Sequence, residues 1–338
     1  MFSRRLRRAR VVLPGALIAA CSGGAAPPSA TSEVEGASLR ESRNKDAQGD
    51  YGFISSVVVI GADRSVALID PGRVGGTAEV PEIKTRCLSR WGEGKAEWCD
   101  GQPPFDGPRI GLGSGVSLSD EWVLTTAHGL VSAAEGRLPR VVGGLARTPV
   151  DTTGCSTKEK WTLPAATVLE ISEVHCIVDR DLALLRIKGG VPSDDWDIGV
   201  SSTVVGKLRE GKLERVRVVS QGFPLGVPMA SVDGWVTSDE HIDGGFESTV
   251  DDYHGSSGSM VLDMHSGGLI GIIVGATDAG TGPGNHSGCY RLAHNNDKVE
   301  NARVELVDLD DLDELKNCTS EGCLAYTTET WQIDKACR

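Results

Sequence analysis

Short apolar runs rich in β-branched residues punctuate this chain from about residue 53 onward, each ended by Gly, Pro, Asp or Asn. FISSVVVIG, SVALID, WVLTTAH, ATVLEI, LALLRI, RVRVVSQG, GSMVLD and GLIGIIVG are the clearest. Runs of this length and composition, bounded by turn formers, predict the strands of a mainly antiparallel all-β protein. One stretch departs from the pattern. Leu306, Leu309, Leu312 and Leu315 recur every three residues within VELVDLDDLDELK, which predicts a short C-terminal helix with an apolar face docked on the domain. The acids between those leucines lack calcium-loop spacing with its central Gly, so they read as a solvated helix face. Two interruptions divide the strands. Residues 70–108 are rich in Gly and Pro and carry Cys87, Trp91, Trp98 and Cys99, as expected of an inserted loop held by a disulfide. Residues 189–197, GGVPSDDWD, form a seam.

The start of the chain follows different rules. Residues 1–21, MFSRRLRRARVVLPGALIAAC, run from basic to apolar to small, the layout of a secretory signal. The apolar part, Val11 to Ala20, is too short to span a bilayer. Ile18-Ala19-Ala20-Cys21 resembles the bacterial lipobox, so a signal over 1–20 and lipidation of Cys21 are expected. Residues 21–50 then lose all hydrophobic period and read as a flexible tether. These features predict an extracytoplasmic protein anchored by lipid to a bacterial membrane of the cell envelope, the outer membrane included.

Composition adds exclusions rather than a function. Hydrophobic residues at 39% and charged residues at 24% are ordinary for a soluble globular protein, whereas 43 Gly favour many tight turns. The formal charge is −13, and the five Arg of the first twenty residues take it to −18 for the processed chain. A chain that acidic, without a basic stripe, is a poor nucleic-acid binder and attracts cationic peptides. No glycine motif for a nucleotide follows a strand. Apart from Cys21 there are eight cysteines, at 87, 99, 155, 176, 289, 318, 323 and 337. In an exported chain this suggests up to four disulfides, with Cys87–Cys99 and Cys318–Cys323 the most local among many pairings. No Cys/His spacing suits zinc, and no metal or other cofactor is expected.

Three motifs carry chemistry. Trp122-Val123-Leu124-Thr125-Thr126-Ala127-His128 is a strand running into a small-residue turn that ends in His. Asp179-Arg180-Asp181-Leu182-Ala183-Leu184-Leu185 places acid at the head of an apolar strand. Gly255-Ser256-Ser257-Gly258-Ser259 precedes the strand Met260-Val261-Leu262. A Ser hydroxyl becomes a useful nucleophile only when an imidazole accepts its proton. A carboxylate must then fix the imidazole tautomer and stabilise the imidazolium. Gly on both sides of the Ser permits a sharp turn whose N–H groups converge on a developing oxyanion. The candidate triad is therefore His128, Asp181 and Ser257, with oxyanion donors at Gly255 and Ser257. Asp179 is the rival acid, and His175 and His254 are rival bases outside a TAH-like turn. His254 is the better candidate for lining a substrate cleft. Upstream, Gly113-Ser114-Gly115-Val116 lets another strand approach closely.

TTAH, DLALL and GSSGS resemble the triad blocks of the chymotrypsin/trypsin-like serine peptidases over about residues 105–295. GFPLG at 222–226 and DDYHG at 251–255 resemble its bacterial branch near the glutamyl endopeptidases. The resemblance implies two six-stranded antiparallel β-barrels with the triad between them. The domain would span 51–338, with a first barrel at about 51–190, a second at about 198–295 and a helix and tail over 296–338. It also implies a primary pocket with Asp251 at its base and walls from Gly275, Ala276 and Gly288. An acid with small walls suggests cleavage after Arg or Lys. Glutamyl endopeptidases instead place a His where Ile273 aligns. The expected partners are protein or peptide substrates, met by a monomer whose only membrane contact is the lipid at Cys21. Ser256 stands where animal members carry the Asp of their activation switch, so no such switch is expected. The alternative is a catalytically silent binding module of the same fold at the cell surface.

Overall fold

The computed structural model describes residues 38–39, 64–77, 81–84, 86–87, 90–91, 96–97, 108–109, 112–119, 121–131, 137–144, 160–162, 167–191, 198–212, 215–223, 230–242, 245–250, 255–276, 281–283, 290–292, 302–328, 330–331 and 337. Two antiparallel sheets dominate, as the strand pattern predicted. In the first half of the chain lie β1 (Ser65–Ile69), β2 (Gly113–Ser117), β3 (Trp122–Thr126), β4 (Arg140–Gly143), β5 (Thr167–Leu169), β6 (Ile171–Ile177) and β7 (Leu182–Ile187). The second half holds β8 (Arg215–Gly222), β9 (Ala230–Ile242), β10 (Gly245–Ser248), β11 (Met260–Asp263), β12 (Leu269–Ala276) and β13 (Ala302–Leu306). Among the described residues three α-helices complete the frame, α1 (Ala127–Val131), α2 (Ser202–Arg209) and α3 (Leu309–Asn317), and a strand follows them, β14 (Cys323–Thr327).

The second sheet runs β9-β8-β11-β12-β13-β10, and β10 pairs back with β9 to close a six-stranded barrel. The first runs β5-β4-β1-β2-β3-β7-β6-β14, a half-barrel of eight strands. This is the all-β, double-barrel chymotrypsin-like class, with a short helix near its end. β14 arrives from far along the sequence, pairing Cys323–Thr327 with Ile177–Glu173 of β6. The disulfide Cys176–Cys337 fastens the same edge, and Cys318–Cys323 closes the loop between α3 and β14. The partner expected for Cys87, Cys99, lies outside the described residues, as do residues 53–61 of the first apolar run.

Side-chain alternation explains why the strands facing the middle of the molecule are apolar on both faces. Val123 of β3 and Ala183 and Leu185 of β7 enter the core of the first sheet. Their neighbours Leu124, Leu182 and Leu184 point the other way, meeting Met260 and Leu262 of β11 and Leu269 and Ile272 of β12. Val261, Ile270 and Ile273 turn into the second barrel instead. A period of two with both faces buried requires a nearly continuous apolar run, as LALL within LALLRI and LIGIIV within GLIGIIVG provide. Among the described residues these side chains form three cores, and the middle one joins the barrels.

The C-terminal helix forms as predicted but in a different register. Leu306 ends β13 and is fully buried, whereas Leu309, the first helical residue, is 55% exposed. Only Leu312 and Leu315 carry the docking face, because Asp308 caps the helix and restarts the period there. Its side chain accepts from Asp311 N (3.0 Å) while the Asp311 carboxylate accepts from Asp308 N (2.7 Å). Such a reciprocal box satisfies two amide donors that the first turn would otherwise leave unpaired. The acids are therefore not simply a solvated face: Asp311 is buried and ion-paired.

Candidate active site

His128 is placed where β3 ends at Thr126 and the small Ala127 turns the chain directly into α1. The next residue has to be small too. A Cβ on Gly129 would crowd Thr126 Oγ1 at 2.9 Å, which accounts for Gly directly after the His. Asp181 follows a 3-10 turn over Val178–Arg180 and adopts a left-handed backbone, φ 53°. That conformation reverses the chain just before β7. It brings the Asp181 carbonyl within 3.0 Å of Ala127 N and its Oδ1 within 2.8 Å of His128 N.

The side chains then form one row. His128 Nδ1 lies 2.5 Å from Asp181 Oδ2, and His128 Nε2 lies 2.9 Å from Ser257 Oγ. A carboxylate only accepts, so Nδ1 carries the proton and Nε2 is left to accept from the Ser257 hydroxyl. The imidazole remains 45% exposed, open to an incoming molecule.

Ser257 stands on a turn bracketed by Gly255 (φ 93°) and Gly258 (φ 84°), conformations that side chains rarely tolerate. The turn is pinned from three directions. Ser114 of β2 donates from its N–H to Ser257 O (2.8 Å) and from its hydroxyl to Gly255 O (2.8 Å). The same hydroxyl accepts from Phe223 N at 2.8 Å, just beyond β8. Thr125 Oγ1 in turn donates to Ser114 O at 2.7 Å. From the other side, Gly258 N donates to Ile273 O (2.7 Å) and Ile273 N to Ser259 O (2.9 Å), locking the turn to β12. Gly258 packs so closely that a Cβ there would overlap the Ser114 carbonyl oxygen. Small residues at 113–115 were legible as a close approach, but the pinning role of the Ser114 side chain was not.

The rivals separate cleanly. Asp179 is exposed at the surface of the 3-10 turn. His175 is buried on β6, where Nδ1 bonds Leu315 O at 2.8 Å and the ring packs on Trp122. Of the expected pocket, Gly275 lies near the end of β12, and among the described residues nothing stands within 4 Å of the position a Cβ would take. Ala276 is the last residue of that strand. Ile273 points into the second barrel's core and is 1% exposed. Asp251, His254, Gly288 and Cys21 lie outside the described residues. Among the described residues, no group of three or more His, Cys, Asp or Glu is placed to hold a metal ion.

The arginine inside the Asp motif, which the sequence pattern did not single out, lies at the centre of an ion-pair cluster. Arg180 reaches from the turn before Asp181 to Glu305 of β13 (Nε to Oε1, 2.5 Å) and to Asp311 of α3 (2.5 Å). It also donates to the Leu306 carbonyl at 2.8 Å. Arg209 at the end of α2 completes the cluster, binding Asp308 (2.7 Å), Asp311 (2.6 Å) and Leu306 O (2.9 Å). The partners respond differently. Arg180 is largely buried, and although burial works against its charge, Asp311 and Glu305 raise its pKa above the usual guanidinium value. Burial likewise opposes the Asp311 charge, yet bonds from Arg180, Asp308 N and Arg209 bring its pKa below the ordinary 3.8. At Glu305 burial prevails over Arg180, and its pKa is raised. The asymmetry has a structural cause. Asp311 meets two guanidinium groups, whereas Glu305 Oε2 has no hydrogen-bond partner among the described residues.

Residues 113–272 match the family model of the trypsin-like peptidase domain, a stretch that contains His128, Asp181 and Ser257. The match supports the trypsin-like resemblance drawn from TTAH, DLALL and GSSGS. No curated protein matches the sequence. Among solved structures, the active form of the Rv3671c protease from M. tuberculosis is similar at 14% identity with a TM-score of 0.41, over 77% of this chain and 82% of that one. The inactive form of a Ser-to-Ala mutant of Rv3671c is similar at 14% identity with a TM-score of 0.40, over 79% and 93%.

Proposed function

We propose that this protein is a serine endopeptidase in which Asp181, His128 and Ser257 act as the triad. The observation that carries the reading is the continuous row from Asp181 Oδ2 through the imidazole to Ser257 Oγ, at 2.5 and 2.9 Å. In this reading Ser257 Oγ attacks the scissile carbonyl carbon while its proton passes to His128 Nε2. Asp181 stabilises the imidazolium, and the N–H groups of Gly255 and Ser257 stabilise the oxyanion. The C–N bond breaks as His128 returns the proton to the leaving amine. Water, deprotonated by the same imidazole, then hydrolyses the acyl ester.

The substrate reading rests on the sequence of the cleft. Asp251 at the pocket base and the small wall residue Gly275 favour a long basic side chain, so cleavage after Arg or Lys is the proposed preference. His254, Ala276 and Gly288 would line the same cleft. The pattern of residues 1–21 supports an extracytoplasmic enzyme, a monomer held to a bacterial envelope membrane through lipid on Cys21.

One experiment tests these parts together. The full chain, expressed in a bacterium that processes lipoproteins, is treated with a serine-directed phosphonate and fractionated. Labelling at Ser257 in the membrane fraction is expected, with cleavage of basic peptides. Ser257→Ala should lose both label and turnover, leaving a residue of about 1,000- to 10,000-fold over water at most. Cys21→Ser should release labelled protein from the membrane. A folded wild-type chain that takes no label and cleaves nothing would instead mark a silent binding module.

A further inference from the structure

The turn that presents Asp181 has little of its own to hold it. The 3-10 turn over Val178–Arg180 has no side-chain cap at Ile177, and Asp181 itself sits at φ 53°. The left-handed region is unfavourable for a residue with a Cβ and persists only where surroundings impose it. Among the described residues Asp181 is itself tied only to the first sheet, its carbonyl accepting from Ala127 N and its Oδ1 from His128 N, so nothing in Asp181 reaches across to the second barrel.

Arg180 is the adjoining residue, and its guanidinium is fixed at three points of the second barrel and its helix. Glu305 is fully buried on β13, Asp311 is held by the capping box of α3, and Leu306 O is the carbonyl between them. Planar guanidinium fixes direction as well as charge when several N–H groups are engaged at once. The backbone one residue before Asp181 is thereby tied to a barrel other than its own.

We propose that Arg180 is a positioning residue for the acid of the triad, anchoring the Asp181 turn to Glu305, Leu306 O and Asp311 so that the carboxylate meets His128. This rests on the peptidase reading above and assigns the cluster a role in it. Arg180 touches neither substrate nor imidazole. Its influence passes through Asp181 alone, and that is what makes the claim testable. An anchor lost at this position leaves the Asp181 turn held from the first sheet alone, and a displacement on the order of 1 Å costs about 100-fold in turnover.

The test compares wild type, Arg180→Met, Asp181→Asn and the double variant, with kcat normalised to phosphonate-titrated sites. The low-field proton signal of His128 Nδ1–H is followed by NMR, a readout that needs no turnover. Arg180→Met should lower kcat about 100-fold with KM changed less than about twofold. It should also weaken or shift the low-field signal. Asp181→Asn lowers kcat about 10,000-fold, and the double variant should be no slower, because both changes act through one group. Arg180→Lys should restore only part of the loss, since an ammonium cannot engage all three partners in the same directions. Unchanged kcat with the signal intact, or losses that multiply in the double variant, would overturn the proposal. Should Arg180→Met not fold, Glu305→Gln removes one anchor at constant shape and is read in the same way. A wild type without turnover, whose low-field signal is nonetheless lost in Arg180→Met, would leave the positioning standing and sink the peptidase reading.

Discussion

At the scale of single residues, the site depends on positions that carry no chemistry of their own. Gly258 is the sharpest case, since its φ of 84° and its contact with the Ser114 carbonyl both forbid a side chain. Gly258→Ala should therefore destabilise the fold by about 2–4 kcal/mol, within the range of steric and backbone-strain mutants, and abolish labelling of Ser257. A urea titration with parallel phosphonate labelling would read both, and a variant of wild-type stability would refute the steric argument. The three residues that the structure brings into one row were legible because each lies in a local motif: small residues before His128, an apolar strand after Asp181, glycines about Ser257. Ser114 was only half legible. Its small neighbours announced a close approach, but nothing in Gly-Ser-Gly states which loop the hydroxyl will hold.

Elements were readable where the rule is local and obscure where partners are distant. The strand runs and the C-terminal helix follow from periodicity, yet Leu309 lies outside the docked face because the Asp308 cap, not the leucine spacing, sets where the helix begins. The ion cluster joins residues 125 and 131 positions apart in the chain, beyond any sequence pattern. It also sets how α3 responds to acid. The Asp311 pKa is lowered on folding, so its stabilising contribution is complete above the ordinary 3.8 and is lost as pH falls through the lower folded value. Glu305 carries the opposite sign, its raised pKa making ionisation a cost as pH rises past the ordinary 4.5. Asp311→Asn should accordingly cost about 1–3 kcal/mol near neutrality. That difference from wild type should shrink when urea unfolding is repeated at pH values below 3.8. A gap that stays constant with pH would show that packing, not charge, is what Asp311 contributes.

For the molecule as a whole, sequence patterns gave the class and missed the closure. CLAYT is too short and mixed to stand out as a strand, and eight cysteines could not reveal that Cys337 returns to Cys176. That return changes what a cut in the chain would do. Lys188 is well exposed at the turn that leaves the first sheet, next to Gly189 and Gly190, and it is the kind of residue the proposed preference would select. Severing the chain there would separate a fragment holding Cys176 from one holding Cys337, yet the bridge and the β6–β14 ladder would still bind the two. The nicked protein should migrate as one species without reductant and as two with it, while keeping most of its phosphonate reactivity. Two species without reductant would contradict this. A fold closed in this way outlasts a cut at that turn, so under the proposed activity it would persist as two linked chains rather than as debris.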